Sequence, residues 1–311
     1  MKILVTGGAG FIGSHIVDAY VERGHDVTTI DNLSSGRREN VHPKARFVEL
    51  DIRERDKVDS VFEAAHFDLV NHHAAQMDVR RSVIDPVYDA SVNILGMLNI
   101  LECCVKHGVG RVVFASSGGA IYGEQDYFPA DEAHTTRPIS PYGVAKLTTE
   151  KYLFYYKEVH NVISVCLRYA NVYGPRQNPE GEAGVIAIFT SKMLAGQHPV
   201  INGDGKQTRD YVYVGDVVQA NVLALQGVGM QVYNIGTGVE TDVNMLFRDL
   251  KTATGSDAKE IHGEAKKGEQ LRSVLDARRI HAELGWKPLV PFEEGLQMTV
   301  KYFKSIAGHG S

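Results

Sequence analysis

A chain of 311 residues, 43% hydrophobic and 23% charged, is long enough for one large domain with an appended lobe, and apolar enough for a substantial core. Its formal net charge of -5, with no cluster of Lys and Arg interleaved with aromatics, excludes nucleic acid as the main partner, and no apolar run is long enough to span a membrane. Three cysteines, odd in number and with Cys103 and Cys104 adjacent, make no disulfide framework, so they and Cys166 read as buried free thiols of a cytoplasmic protein.

The chain opens on a short apolar strand that runs into Gly7, Gly10 and Gly13, and those glycines open a helix. That arrangement is a phosphate cradle. Gly7 allows a tight turn, Gly10 lets the backbone approach a pyrophosphate, and Gly13 lets the helix lie close to the strand. Ile12, Ile16, Ala19 and Tyr20 supply the apolar face of the helix, and a second strand over 27–30 ends at Asp31. A carboxylate there accepts both ribose hydroxyls of the adenosine half of NAD and repels the extra phosphate of NADP. Arg37 and Arg38 stand close enough in sequence to soften that preference.

Residues 32–43 have the composition of a loop, 46–52 alternate as a third strand, and 55–65 are helical. The fourth strand, over 68–75, ends in Ala74 and Ala75, small residues that suit a floor beneath a flat cofactor. His72 and His73 face opposite ways on that strand and lack partners at metal-ligand offsets, so no metal is expected. A long helix follows over 92–105, then a fifth strand over 111–117 ending in Ser116 and Ser117. The alternation implies an α/β fold, a doubly wound parallel Rossmann sheet over 1–170. Ligands of such sheets gather at the C-terminal strand ends, where Gly7, Asp31, Asp51, Ala74, Ala75, Ser116 and Ser117 all stand.

Beyond Ala170 the alternation loosens into a smaller C-terminal α/β lobe over 171–311 that binds substrate across a cleft, with some of its chain returning to the first domain. Helices are predicted over 185–195, 217–225, 244–254, 277–284 and 292–306, and strands over 199–201, 210–214 and 232–235.

Ser140 can cap a helix and Pro141 suits its first turn, which puts Tyr142 and Lys146, four apart, on one face. A phenol is a poor base at neutral pH unless a cation is held beside it. Lys146, with the positive nicotinamide of the oxidised cofactor, is expected to push the Tyr142 pKa down. Tyr142 then removes a proton from a substrate hydroxyl, the adjacent carbon gives hydride to NAD, and a Ser hydroxyl near 117 hydrogen-bonds the forming ketone.

The segments Thr6-Gly7-Gly8-Ala9-Gly10-Phe11-Ile12-Gly13, Asp31-Asn32-Leu33, Asp51-Ile52, His72-His73-Ala74-Ala75, Ser116-Ser117, Tyr142-x-x-x-Lys146 and Arg168-Tyr169-Ala170-Asn171-Val172-Tyr173-Gly174-Pro175 together resemble the extended short-chain dehydrogenase/reductase family. Within it they are most similar to the nucleotide-sugar epimerases of the UDP-glucose 4-epimerase type. The resemblance covers nearly the whole chain. It implies that Ser117, Tyr142 and Lys146 form the catalytic group, with Ser116 as the fallback hydroxyl. It implies that Gly10, Phe11, Ile12, Asp31, Asn32, Ser35, Gly36, Asp51, Ile52, His73, Ala74, Ala75 and Asn93 touch NAD, with Tyr169 and Ala170 near the nicotinamide. Asn171, Arg209 and Arg272 would grip the pyrophosphate of a UDP-sugar, and Glu269 would lie near its ribose.

Two departures bear on function. Gly118-Gly119-Ala120-Ile121 is one residue longer than the usual epimerase spacing before Tyr122, and a bulge is expected to absorb the extra residue. The acidic pair that dehydratases of the family carry after the catalytic hydroxyl is missing, which disfavours elimination of water. Met77 stands where many such epimerases have Lys, and Ser273 where hexose-restricted ones have a bulky Tyr, leaving room for N-acetylated sugars. The expected reaction is 4-epimerisation of a nucleotide sugar, UDP-glucose and UDP-galactose first, through a transient 4-keto sugar. A dehydratase or reductase of the same family, and a non-catalytic NAD-sensing protein, are the alternatives. The long helices over 92–105 and 141–160 are apolar on more than one side, which fits either a homodimer or deep burial within one chain.

Overall fold

The computed structural model describes residues 1–180, 184–227, 229–265 and 270–307. Its first half runs β1 (Lys2–Thr6), α1 (Phe11–Glu22), β2 (Asp26–Asp31), β3 (Arg46–Glu49), α2 (Arg55–Ala65), β4 (Leu69–His72), α3 (Val79–Ile84), α4 (Pro86–Ala90), α5 (Met97–His107), β5 (Arg111–Ser117), α6 (Gly118–Ile121), α7 (Pro141–His160) and β6 (Ile163–Tyr169). The second half runs β7 (Asn171–Tyr173), α8 (Val185–Leu194), β8 (Val200–Asn202), β9 (Thr208–Tyr213), α9 (Val214–Ala224), β10 (Gln231–Ile235), β11 (Glu240–Asp242), α10 (Val243–Thr254), β12 (Ile261–Gly263), β13 (Arg272–Ser273), α11 (Arg278–Leu284) and α12 (Phe292–Ala307).

Seven parallel strands make the central sheet, in the order β10-β6-β5-β4-β1-β2-β3. The order reverses between β1 and β4, which opens a crevice at their C-terminal ends. Side chains alternate between two cores, as strands buried on both faces require. Ile3, Val5, Val113 and Leu167 pack with Ile16 and Tyr20 of α1 and Val217 of α9. Leu4, Phe114 and Cys166 pack on the other side with Phe62 of α2, Leu101 of α5 and Leu153 of α7. All three cysteines are buried and free.

The second half contributes to both parts of the molecule. β7, β9, β11 and β13 form a small sheet over a core that includes Tyr173, Phe189, Tyr211, Phe247 and Leu250. β10 and α9, however, belong to the central sheet and its cover, and so does Trp286, whose indole donates to Asp216 O at 2.9 Å. No helix of the described residues is long and apolar enough to cross a membrane.

The structure corrects three local expectations. The fourth strand stops at His72, because its neighbour β1 ends at Thr6 and the chain then bends, with His73 N donating to Thr6 O and Ala74 N to Thr6 Oγ1. The helix expected over 92–105 begins earlier, at Pro86, capped by Asp85 accepting from Tyr88 N at 2.9 Å; it passes through a π-helical turn at Ser91–Gly96 before continuing as α5. No bulge absorbs the extra residue after Ser117. The β5–β6 ladder keeps its register through Ser117 opposite Tyr169, and the glycines open the one-turn helix α6 instead.

Candidate active site

Two cavities meet at the C-terminal edge of the sheet, sharing Phe11, Ile12, Met77, Ser116, Tyr142 and Tyr169 as walls. The first, of about 360 Å³, is also lined by Gly7, Gly10, Gly13, Asp31, Asn32, Ser35, Asp51, Ile52, His73, Ala74, Ala75 and Lys146. The second, of about 580 Å³, is bordered by Ser117, Ala170, Asn171 and Arg209. The expected residues Asn93, Gly36 and Arg272 line neither cavity. Asn93 lies behind the wall, with its amide on the backbone of Gln76. Gly36 backs Asp31, where an added Cβ would stand 2.9 Å from both carboxylate oxygens. Arg272 is held by Glu240 at 2.6 and 2.9 Å and lies over the Phe128 ring. Ser273 is buried beside it on β13 and lines neither cavity. Glu269 falls outside the described residues.

The first cavity fits a dinucleotide. The N-terminus of α1 opens on it with no side-chain cap at Gly10, so its N–H groups and dipole are left for an anion. A Cβ on Gly13 would come within 2.1 Å of Gly7 O, and one on Gly7, at φ +71, within 2.6 Å of Ala74 N. Only glycine lets these three segments touch. Asp31 accepts from Ala9 N at 3.0 Å and Leu33 N at 2.8 Å; burial raises its pKa against those backbone donors. A carboxylate has about four acceptor sites, so capacity remains for hydroxyls of a ribose.

At the junction of the cavities, Ser117 stands beside Tyr142, and its hydroxyl draws the phenol's pKa down. Ser140 caps α7 by accepting from Gly143 N at 3.1 Å, with Pro141 in the first turn, so the next turn carries Tyr142 and Lys146 on one face. Lys146 Nζ donates to Ala115 O at 2.8 Å and lies 5.6 Å from the centroid of the Tyr142 ring. The expected lowering of the phenol counts the nicotinamide charge as well as Lys146; in the protein alone, burial pushes it up to about 12 against the pull of Ser117, and burial pushes the Lys146 ammonium down to about 8, against the pull of Asp89 and Glu150.

A polar chain fixes His73. Asn221 Nδ2 donates to the Tyr169 hydroxyl at 2.8 Å, and that hydroxyl shares a hydrogen bond with His73 Nε2 at 3.0 Å. His73 is held neutral by burial, and its Nδ1 is a buried atom with no protein partner, on a residue that walls the first cavity. Further wall residues escape the sequence reading, among them Gln76, Arg81 and Tyr88 in the first cavity, and Lys192, Gln207 and Tyr211 in the second. The Asp85-Pro86 pair, a helix-start signature, could have exposed α4 and with it Tyr88.

The model of the NAD dependent epimerase/dehydratase family matches residues 3–236. The chain belongs to that family. A UDP-glucose 4-epimerase of Mycolicibacterium smegmatis is 44% identical over 98% of this chain and 99% of its own. Among crystal structures, the UDP-glucose 4-epimerase of Thermotoga maritima with UDP-glucose is 49% identical and superposes with a TM-score of 0.97, over 99% of this chain and 100% of that one. The UDP-glucose 4-epimerase of Thermus thermophilus, in complex with NAD, is 44% identical, with a TM-score of 0.94 over 98% and 99% of the two chains.

Proposed function

We propose that this protein is a UDP-glucose 4-epimerase: an isomerase that interconverts UDP-glucose and UDP-galactose with NAD held in the first cavity and the sugar nucleotide in the second. The observation that carries the reading is the position of Tyr142, beside Ser117 where the two cavities meet. When bound, NAD takes the C4 hydrogen of the sugar as hydride and gives it back. Gly7, Gly10, Gly13 and Asp31 hold its pyrophosphate and ribose, and His73, whose Nδ1 has no protein partner, stands at the floor. Tyr142 takes the 4-hydroxyl proton and later returns it. Lys146 favours the phenolate, and Ser117 steadies the C4 oxygen as it becomes a ketone. Asn171 and Arg209 grip the diphosphate, because an amide and a guanidinium are donors suited to its oxygens. With the diphosphate held, rotation of the 4-keto sugar about its bonds to the phosphate lets it present its other face.

Dehydration is disfavoured by the glycines after Ser117. A Cβ on Gly118 would meet Leu275 Cδ1 at 2.4 Å, so a larger residue there would have to displace that side chain, and neither Gly118 nor Gly119 supplies the acid that elimination of water needs. We place the enzyme in the cytoplasm, since its three cysteines are free and buried. We also propose a homodimer built on the outer faces of α3, α4 and α7, where Val83, Ile84, Val87, Val144, Phe154 and Val159 are exposed. Incubation with a panel of UDP-, dTDP- and GDP-sugars tests the substrate: conversion confined to UDP-hexoses is expected, and conversion of dTDP- or GDP-sugars alone would refute it.

A further inference from the structure

We propose that Asp89 is a positioning residue for this reaction: its carboxylate clasps the segment that floors the cofactor cavity and stands as the buried counter-charge of Lys146. The proposal rests on the functional reading above and assigns that site a part carried by a residue outside both cavities.

Asp89 lies on α4, 1% exposed. Its Oδ1 accepts from Gln76 Nε2 at 2.8 Å and from Asn93 Nδ2 at 2.9 Å, while Oδ2, equally buried, has no partner. Asp89 and Asn93, four apart, reach the same target across the start of the π-helical turn. Asn93 completes the clasp: its Oδ1 accepts from Gln76 N at 2.9 Å and its Nδ2 donates to Gln76 O at 2.8 Å. Gln76 is thus held by backbone and side chain together, and it sits between Ala75 and Met77 in the wall of the first cavity. Thr149 of α7 donates to Asn93 O at 3.3 Å, which ties the clasp to the helix that carries Tyr142 and Lys146.

An amide acceptor at this position would serve Gln76 and Asn93 equally well, so the clasp alone does not call for an acid. A buried charge is costly unless another offsets it. The groups facing Lys146 are Asp89 from α4, Glu150 and Tyr142 from its own helix, and the neutral His72 and His73 from β4 and the segment after it. Glu150 is already neutralised by Arg168, at 2.6 and 3.0 Å. Asp89 has no such guanidinium, and the charged and titratable groups facing it are Lys146 and Tyr142. Its charge therefore favours the ammonium form of Lys146 and, through the same field, also holds the Tyr142 phenol up, so that removing it moves both groups to lower pH.

The test uses the full-length enzyme and the variants Asp89→Asn, Asp89→Ala and Gln76→Ala. NAD retained after gel filtration, thermal midpoint and the pH profile of kcat are read for each. Asp89→Asn keeps an acceptor for the clasp but removes the charge. It should retain NAD and move the alkaline limb of kcat to lower pH by about one unit. Asp89→Ala should show the same shift and retain about tenfold less NAD, and it serves for the charge should Asp89→Asn fail to fold. Gln76→Ala should lose NAD with the alkaline limb unmoved. An unmoved limb in both Asp89 variants overturns the counter-charge, since a merely structural residue would lower the thermal midpoint alone. Wild-type NAD retention in both Asp89→Ala and Gln76→Ala overturns the clasp. Retention needs no substrate, so a wild type that holds NAD yet converts no nucleotide sugar would refute the functional reading while the clasp is still decided.

Discussion

The Ser116 hydroxyl donates to Glu150 Oε1 at 2.6 Å, inside the contact between β5 and α7. That bond commits the donor of Ser116 to a buried network with Arg168, and leaves the neighbouring Ser117, beside Tyr142, as the hydroxyl that serves the second cavity. Ser117→Ala should lower kcat by about 10²-fold with little change in thermal midpoint. Ser116→Ala should do the reverse, costing about 1–3 kcal/mol of stability with a smaller loss of kcat. Steady-state kinetics and thermal denaturation of the two variants check the assignment, and exchanged phenotypes would make Ser116 the catalytic hydroxyl.

Lys146 works against the fold in order to serve the site. Its folded pKa of about 8 lies below the ordinary value of 10.5. Between those two values the unfolded chain binds more protons, so this group's contribution to stability rises with pH through that window and is unfavourable below it. Lys146→Met should therefore abolish most activity and, at neutral pH, remove this unfavourable contribution, a gain offset in part by leaving the Asp89 carboxylate without its counter-charge. The gain should shrink as pH approaches the upper end of the window, and denaturant titrations across that range read it directly.

Gly13→Ala should expel the cofactor. The added methyl would stand 2.1 Å from Gly7 O, so the cradle opens or α1 is pushed off β1. NAD released on denaturing the purified variant should fall at least tenfold, with a lower thermal midpoint.

Most of the cofactor side could be read in the sequence because it rests on local signals. Gly7, Gly10, Gly13, Asp31, Ala74 and Ala75 sit at strand ends, and strand ends follow from hydrophobic alternation. Legibility fell where side-chain placement depends on contacts remote in sequence. Asn93 reads as a cofactor ligand, but a π-helical turn, invisible to a period of 3.6, directs it to Gln76. Arg272 reads as a free cation for a diphosphate, and only the pairing of β13 with β9 brings it beside Glu240, on β11 at the far side of that strand. The Tyr142 pKa depends on burial, which spacing alone does not report.

The proposed homodimer predicts a solution mass twice the 34.2 kDa of one chain. Phe154→Glu, on the exposed face of α7, should halve it, because a charge at the centre of an apolar contact is desolvated without a partner. Light scattering on both proteins reads the outcome, and a wild type that runs as a monomer would leave those apolar side chains unexplained by self-association.

The most direct test is to give the purified enzyme UDP-glucose with no added reductant and follow the products by nuclear magnetic resonance. A 4-epimerase with resident NAD should yield UDP-galactose at equilibrium with UDP-glucose and no net consumption of NADH, and Tyr142→Phe should lose about 10³-fold in rate with NAD still bound. Stoichiometric use of NADH, or a 4-keto-6-deoxy sugar as the end product, would contradict it.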